Sequence, residues 1–142
     1  GAWIFSNFVN YAGLPEGLKE MIVSADLSPW LVMTVIILIY VALGCVFESL
    51  SMLLLTVPIF FPIVIGLGFD PVWFGIVVVV VTEISLITPP VGLNVFILKS
   101  VVGDISVGTI FRGVTPFWMM DIVRLLILVL FPWLVLFLPS QM

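Results

Sequence analysis

Long stretches without any charge alternate with short polar punctuation along the whole chain. Residues 30–47 form one such stretch and residues 49–69 a second, with Glu48 alone between them. A third, 72–98, is interrupted by Glu83, and a fourth, 114–138, carries Asp121 and Arg124. As helices rising about 1.5 Å per residue, the first two would each cover roughly 27–31 Å, close to the ~30 Å hydrocarbon core of a bilayer. Length alone admits two full spans or a two-armed re-entrant hairpin over 28–69. The connection favours the hairpin. A loop in water normally carries several polar residues, and Lys or Arg on the cytoplasmic side, whereas the tip near 44–51 reads Gly-Cys-Val-Phe-Glu-Ser-Leu-Ser. Non-helical backbone at membrane depth persists only where protein or a hydrated cavity satisfies it. Pro58 and Pro62 are expected to kink the second arm.

The remaining punctuation divides the chain further. Residues 1–27 read as the end of a preceding helix, aromatic at Trp3, Phe5, Phe8 and Tyr11 and broken at Leu14-Pro15, followed by an interfacial amphipathic arm. Ser28-Pro29 is a helix-start signal. Gly66, Gly68 and Asp70-Pro71 mark a turn, which opens a helix over 70–102 that must break at 85–92. Two adjacent prolines remove two amide donors and disfavour helix at the residue before them. Residues 103–113 read as an interfacial segment and 114–142 as the last transmembrane helix, with Asp121 and Arg124 pairing at i,i+3. The fold class is therefore all-α, a polytopic membrane protein. Lys99 and Arg112 placed on the cytoplasmic side put the Asp70 turn and the C-terminus outside.

Composition narrows the functions. Of 142 residues 63% are hydrophobic and 8% charged, against about 25% charged in soluble domains, so twelve charged side chains cannot cover a soluble surface and lipid or other protein must supply the difference. The net charge of −4 with four basic residues offers no patch for nucleic acid. His is absent and Cys45 is single, which argues against disulfides, zinc and haem. Catalysis would need a convergent nucleophile and base, and Lys99-Ser100 has no oriented partner; the chain is not read as an enzyme. It opens on Gly1 without a basic leader and reads as an excerpt of a longer protein.

The stretch Ser85-Leu-Ile-Thr88-Pro89-Pro90-Val91-Gly92-Leu-Asn94 carries the candidate chemistry. A broken membrane helix frees carbonyls on one half and amides on the other, sites for a cation and for an anionic group. The bland alternative is an ordinary proline kink. Together with Gly44-Cys-Val-Phe-Glu48-Ser-Leu-Ser and Gly68-Phe-Asp70-Pro71-Val-Trp-Phe-Gly75, this order of motifs resembles the C-terminal half of the large membrane subunit of tripartite ATP-independent periplasmic (TRAP) transporters, from about residue 28 onward.

The resemblance implies half of an inverted-repeat, elevator-type permease in a bacterial inner membrane. It also implies Na⁺ symport of a carboxylate such as a C4-dicarboxylate or a sialic acid. Sodium would be held largely by backbone carbonyls of Gly44 at the tip and of Ser85, Thr88 and Val91 at the break, with the Thr88 hydroxyl a further ligand; Ser85 stands where the family pattern leads one to expect glycine. Ser49, Ser51 and Asn94 are candidate substrate contacts, or equally packing groups between helices. Pro89, Pro90 and Gly92 make the break. Glu48 and Glu83 are intramembrane carboxylates read as structural anchors. Asp121 and Arg124 are read as a structural pair, Arg124 alternatively attracting substrate. The implied partners are a small membrane subunit, an extracytoplasmic substrate-binding protein and the N-terminal half of the permease. The competing reading is a non-transporting structural or assembly subunit.

Overall fold

The computed structural model describes residues 1–89, 91–137 and 139–141, with the side chains of all of these except Ala2, Trp3, Ser6, Val23 and Ser140. Pro90, named above as part of the break, the interfacial side chain of Trp3, and Leu138 and Met142 of the last segment lie outside that set. Every regular element among the described residues is helical: α1 (Ala2–Tyr11), α2 (Leu14–Ser24), α3 (Pro29–Gly44), α4 (Ser49–Gly66), α5 (Pro71–Ser85), α6 (Leu93–Val102), α7 (Val107–Leu130), α8 (Pro132–Leu136) and a 3₁₀ turn at Pro139–Gln141.

Local chemistry sets most of these ends. Ser28 caps α3 by accepting the Leu31 amide, and Pro29 fills the first turn, where a missing N–H costs nothing. Asp70 caps α5 by accepting from Val72 (2.8 Å) and Trp73 (3.1 Å), again with proline next in line. Ser106 does the same for α7 through the Thr109 amide at 3.2 Å. The first break falls at Gly13, whose φ of +68° suits glycine, and not at Leu14-Pro15. Those two residues open α2, because proline is at home in a first turn.

Two further boundaries differ from the sequence expectation. Residues 107–113 are not a separate interfacial piece but the first two turns of α7, which runs unbroken through Arg112 and Pro116. Pro132, by contrast, ends α7 and starts the short α8. α4 stays helical through Pro58 and Pro62.

α5 is the centre of the packing. Trp73, Phe74, Val77, Val78, Val81 and Ile84 are buried on it, against Val32, Met33, Ile36 and Tyr40 of α3 and Ile63 and Val64 of α4. α1 and α2 lie on α4, while α7 covers another side of α5 and carries α6. At the wide end of the hairpin, Trp30, Phe69 and Trp73 interlock, with Phe69 stacked on Trp73 at 5.1 Å and Trp30 edge-on to Phe69 at 5.3 Å. Such aromatic clusters are enriched at the level of lipid headgroups.

Buried hydroxyls follow one rule. Thr56, Thr82, Ser85 and Thr88 each donate to a carbonyl three or four residues back, at 2.6–2.8 Å, which satisfies a polar group within its own stretch of chain. The Tyr40 and Thr56 hydroxyls, 2.9 Å apart, pin the two arms of the hairpin to each other.

Among the described residues, two helices, Ser49–Gly66 and Val107–Leu130, are long and apolar enough to cross a membrane. α3 and α5, with 16 and 15 residues, are about 24 Å and 23 Å long at 1.5 Å per residue, short of a full crossing.

Trp73 donates its indole N–H to the Leu128 carbonyl of α7 at 2.9 Å. Trp73→Phe keeps an aromatic ring in the core and removes this bond together with part of the buried indole. The lost bond should cost about 1 kcal/mol, read as a fall of at least a few degrees in the melting temperature of the detergent-solubilised protein; an unchanged melt would show the bond to be energetically idle.

Candidate functional site

The helix ending at Ser85 does not resume until Leu93, and the described residues between form a compact turn. The Leu86 amide still reaches the Thr82 carbonyl (3.3 Å), but Ile87 and Thr88 shorten the pattern to Ile84 (3.2 Å) and Ser85 (3.2 Å). This is the tightened last turn expected where a helix runs out of donors. Gly92 then turns the chain with φ of +56°. A Cβ there would stand 3.2 Å from the Thr88 carbonyl oxygen and 3.3 Å from the Phe111 ring, so glycine is required both for the backbone angle and for the space. The Asn94 amide donates to the Leu86 carbonyl at 3.2 Å, tying the restarted helix to the end of the old one.

The hairpin tip faces this turn directly. A Cβ on Gly44 would sit 2.5 Å from Ser85 Cβ and closer still to its Oγ, with Met52 Sδ at 3.5 Å. The two backbones approach as closely as they do because residue 44 has no side chain. One residue on, the buried Cys45 thiol points to the Thr88 carbonyl at 3.7 Å. Gly44 and Cys45 are buried, whereas Val46, Phe47 and Glu48 are exposed, so only the first half of the tip is enclosed. No main-chain hydrogen bond to the Gly44 carbonyl forms among the described residues, as is usual for the last turn of a helix.

The third wall is α7. Trp118 donates its indole N–H to the Thr88 hydroxyl at 2.9 Å, and that hydroxyl donates in turn to the Ile84 carbonyl at 2.7 Å. Ile87, Pro89, Phe111, Val114, Thr115 and Trp118 line a small cleft beside the contact. Thr88 is thus held from both sides, its carbonyl toward Cys45 and its hydroxyl toward α7.

Of the residues singled out in the sequence, Gly44, Ser85 and Thr88 come together. Val91 lies on the exposed limb of the turn. The Ser49 and Ser51 hydroxyls turn toward Glu48, at 3.3 and 3.0 Å from its carboxylate oxygens, and Asn94 is exposed in the first turn of α6. Glu48 also accepts the Leu50 and Ser51 amides at 2.8 and 2.9 Å, which makes it the N-cap of α4. Glu83 pairs with Arg124 across the α5–α7 seam at 3.1 Å, and the same Arg124 nitrogen stands 3.2 Å from Asp121.

The family model for the tripartite ATP-independent periplasmic transporter, DctM component, matches residues 1–134. The chain belongs to this family. The C4-dicarboxylate TRAP transporter large permease protein DctM of Pseudomonas aeruginosa is 36% identical over 139 residues, 98% of this chain and 32% of the relative. The sialic acid TRAP transporter large permease protein SiaM of Vibrio cholerae is 34% identical over 140 residues, 99% and 33% of the two. The isethionate TRAP transporter permease protein DctMQ of Oleidesulfovibrio alaskensis is 32% identical over 100 residues, 70% of this chain and 16% of the relative. The chain spans about a third of the length of the first two relatives.

In this DctM-family chain three side-chain links run up the antiparallel seam between α5 with its break and α7: Thr88 to Trp118, Glu83 to Arg124 and Trp73 to Leu128. Sequence reading identified the ends of the break but not Trp118. A signal was available: an indole in the middle of a long apolar helix, away from the membrane interface, needs an acceptor for its N–H.

Proposed function

We propose that the chain forms the C-terminal half of an elevator-type, sodium-coupled permease that imports organic-acid solutes, carboxylates among them, across a bacterial inner membrane. The observation that carries this reading is the seating of the Gly44 tip against Ser85 and Thr88 at the helix break. Two irregular segments facing each other, each closing a helix shorter than a membrane crossing, are what a transport site built from broken helices requires. A packing or assembly subunit has no use for them.

The residues suit a hard monovalent cation. The oxygens at the contact are main-chain carbonyls and the hydroxyls of Ser85 and Thr88, with the Cys45 thiol beside them; uncharged oxygens bind such an ion and also release it in each cycle. Of the Thr88 hydroxyl, the proton and one lone pair are engaged by Ile84 and Trp118, which leaves one lone pair as an acceptor. Gly44, Ser85, Thr88 and Val91 are proposed to contribute oxygens to sodium. Asn94, one turn past the break, and the serines beside Glu48 are proposed to meet the solute. Family membership supports a small membrane subunit and an extracytoplasmic binding protein as partners, with the rest of the permease supplying the opposing half of the site. The relatives' names, C4-dicarboxylate, sialic acid and isethionate, leave the choice of solute to the binding protein.

The test is uptake by the full permease, with its small subunit and binding protein, in proteoliposomes. Replacing external Na⁺ by choline should reduce uptake at least about tenfold, the equivalent of ~1.4 kcal/mol of coupling. Equal uptake in the two salts would end the sodium reading.

A further inference from the structure

We propose that Trp118 is a positioning residue for the cation site at the helix break. This inference rests on the sodium reading above and adds to it a residue that contributes no oxygen of its own.

The argument starts from the number of groups that Thr88 can satisfy. A threonine hydroxyl has one proton and two lone pairs. Its proton goes to the Ile84 carbonyl, and Trp118 Nε1–H occupies one lone pair at 2.9 Å. Together these two bonds select one rotamer of a side chain that, within a terminated helix, would otherwise choose between two. They also anchor residue 88 sideways to α7 at the point where main-chain hydrogen bonding thins out, since Pro89 has no amide to donate. The Thr88 carbonyl is the group that meets the tip, through Cys45. Moving residue 88 on the α7 side therefore moves an oxygen on the tip side.

Packing supports the same assignment. Phe111, two helical turns before Trp118 on α7, is the neighbour that a Cβ on Gly92 would meet at 3.3 Å. α7 thus braces both limbs of the break, the Thr88 limb by a hydrogen bond and the Gly92 limb by a ring. Any buried indole needs an acceptor; here the acceptor is the hydroxyl of Thr88, the residue whose carbonyl meets the hairpin tip.

Trp118→Phe keeps a ring in the cleft and removes the N–H. In proteoliposomes holding the complete permease and its partners, uptake is measured against Na⁺ concentration. The expected result is a rise of about three- to tenfold in the Na⁺ concentration giving half-maximal uptake, the equivalent of one ordinary hydrogen bond, and larger than any fall in the maximal rate. In a Thr88→Val background, where the acceptor is already gone, Trp118→Phe should add no further shift.

A fall in maximal rate with the half-saturating Na⁺ unchanged would reduce Trp118 to a packing residue and overturn the inference while leaving sodium coupling intact. Wild-type uptake indifferent to Na⁺ would overturn both. Should Trp118→Phe not fold, Thr88→Ser, which keeps the acceptor, is compared with Thr88→Val; identical Na⁺ activation of the two would equally overturn it.

Discussion

Gly44→Ala is expected to abolish most of the sodium-driven uptake proposed for the assembled permease. Gly44 does not occupy a left-handed backbone conformation; among the described residues the positive-φ glycines are 13, 68, 92 and 103. Alanine therefore meets no backbone penalty, and its effect reports space alone. The added methyl would lie 2.5 Å from Ser85 Cβ, more than an ångström inside the separation at which carbon atoms attract (about 3.5–4.0 Å). Ser85 cannot rotate out of the way, since the clash includes its Cβ, and the residue is fully buried with its hydroxyl held by the Thr82 carbonyl at 2.6 Å. The tip has to retreat. Overpacking of this kind typically costs about 1–3 kcal/mol, which would weaken a site shared between tip and break by roughly five- to 150-fold.

Space lost at one residue can be returned at the other. Ser85→Gly removes both clashing atoms and leaves Met52 Sδ as the nearest side-chain neighbour, at 3.5 Å, an ordinary contact. The double variant Gly44→Ala/Ser85→Gly should then regain a substantial part of the sodium affinity lost in the single one. Sodium titrations of uptake for the four members of this cycle measure the coupling; simple additivity would mean that the two residues do not act through their contact.

The second large effect concerns Arg124. One guanidinium nitrogen serves both Glu83 and Asp121, whose side chains are 62% and 29% exposed, against 47% for Arg124 itself. In water such exposed pairs contribute little. Here they sit in the middle of α7 and near the end of α5, on helices read as lying within the membrane, where an uncompensated charge costs about 2.5–3.5 kcal/mol by insertion scales. Arg124→Leu leaves two carboxylates facing each other without a cation. The expected outcome is a severe loss of folded permease, read as monodisperse protein after detergent extraction. Adding Glu83→Gln should recover part of it, because one of the two unpaired charges is then gone. Arg124→Lys should fall between, since it keeps a cation at the seam but as a compact, strongly hydrated ammonium on a flexible stem in place of the preorganised guanidinium. If Arg124→Leu is extracted as well as wild type, the three charges are solvated and the seam does not depend on them.

Glu48 and Glu83 show why an intramembrane carboxylate is hard to interpret without coordinates. Both stood out as costly residues, but their partners are of different kinds. Glu48 bonds to two amides and two hydroxyls within three residues of itself, a local cap that a Glu-Ser-Leu-Ser sequence can form unaided. Glu83 depends on a residue 41 positions away. The serines beside Glu48 were candidate solute contacts, and the geometry gives them a second occupation as part of that cap.

What the sequence determined by itself was governed by near neighbours. Uncharged runs of membrane length, the Ser28-Pro29 and Asp70-Pro71 helix starts and the interruption between Ser85 and Leu93 all follow from side chains and amides a few residues apart, whose energies do not depend on the rest of the fold. The order of those motifs was also enough to indicate the family.

Some near-neighbour effects were still too finely balanced to read. Pro116 is tolerated within α7 while Pro132 ends it, and that helix starts seven residues before the apolar run, where Ser106 caps it by accepting the Thr109 amide. The tertiary structure alone decided the contacts between distant residues: Gly44 on Ser85, Trp118 on Thr88, Arg124 on Glu83. Each depends on how α3, α5 and α7 pack, and helix packing is the summed result of many weak contacts, which no local pattern encodes. The candidate site is made of such contacts, so the sequence located its pieces and the packing assembled them.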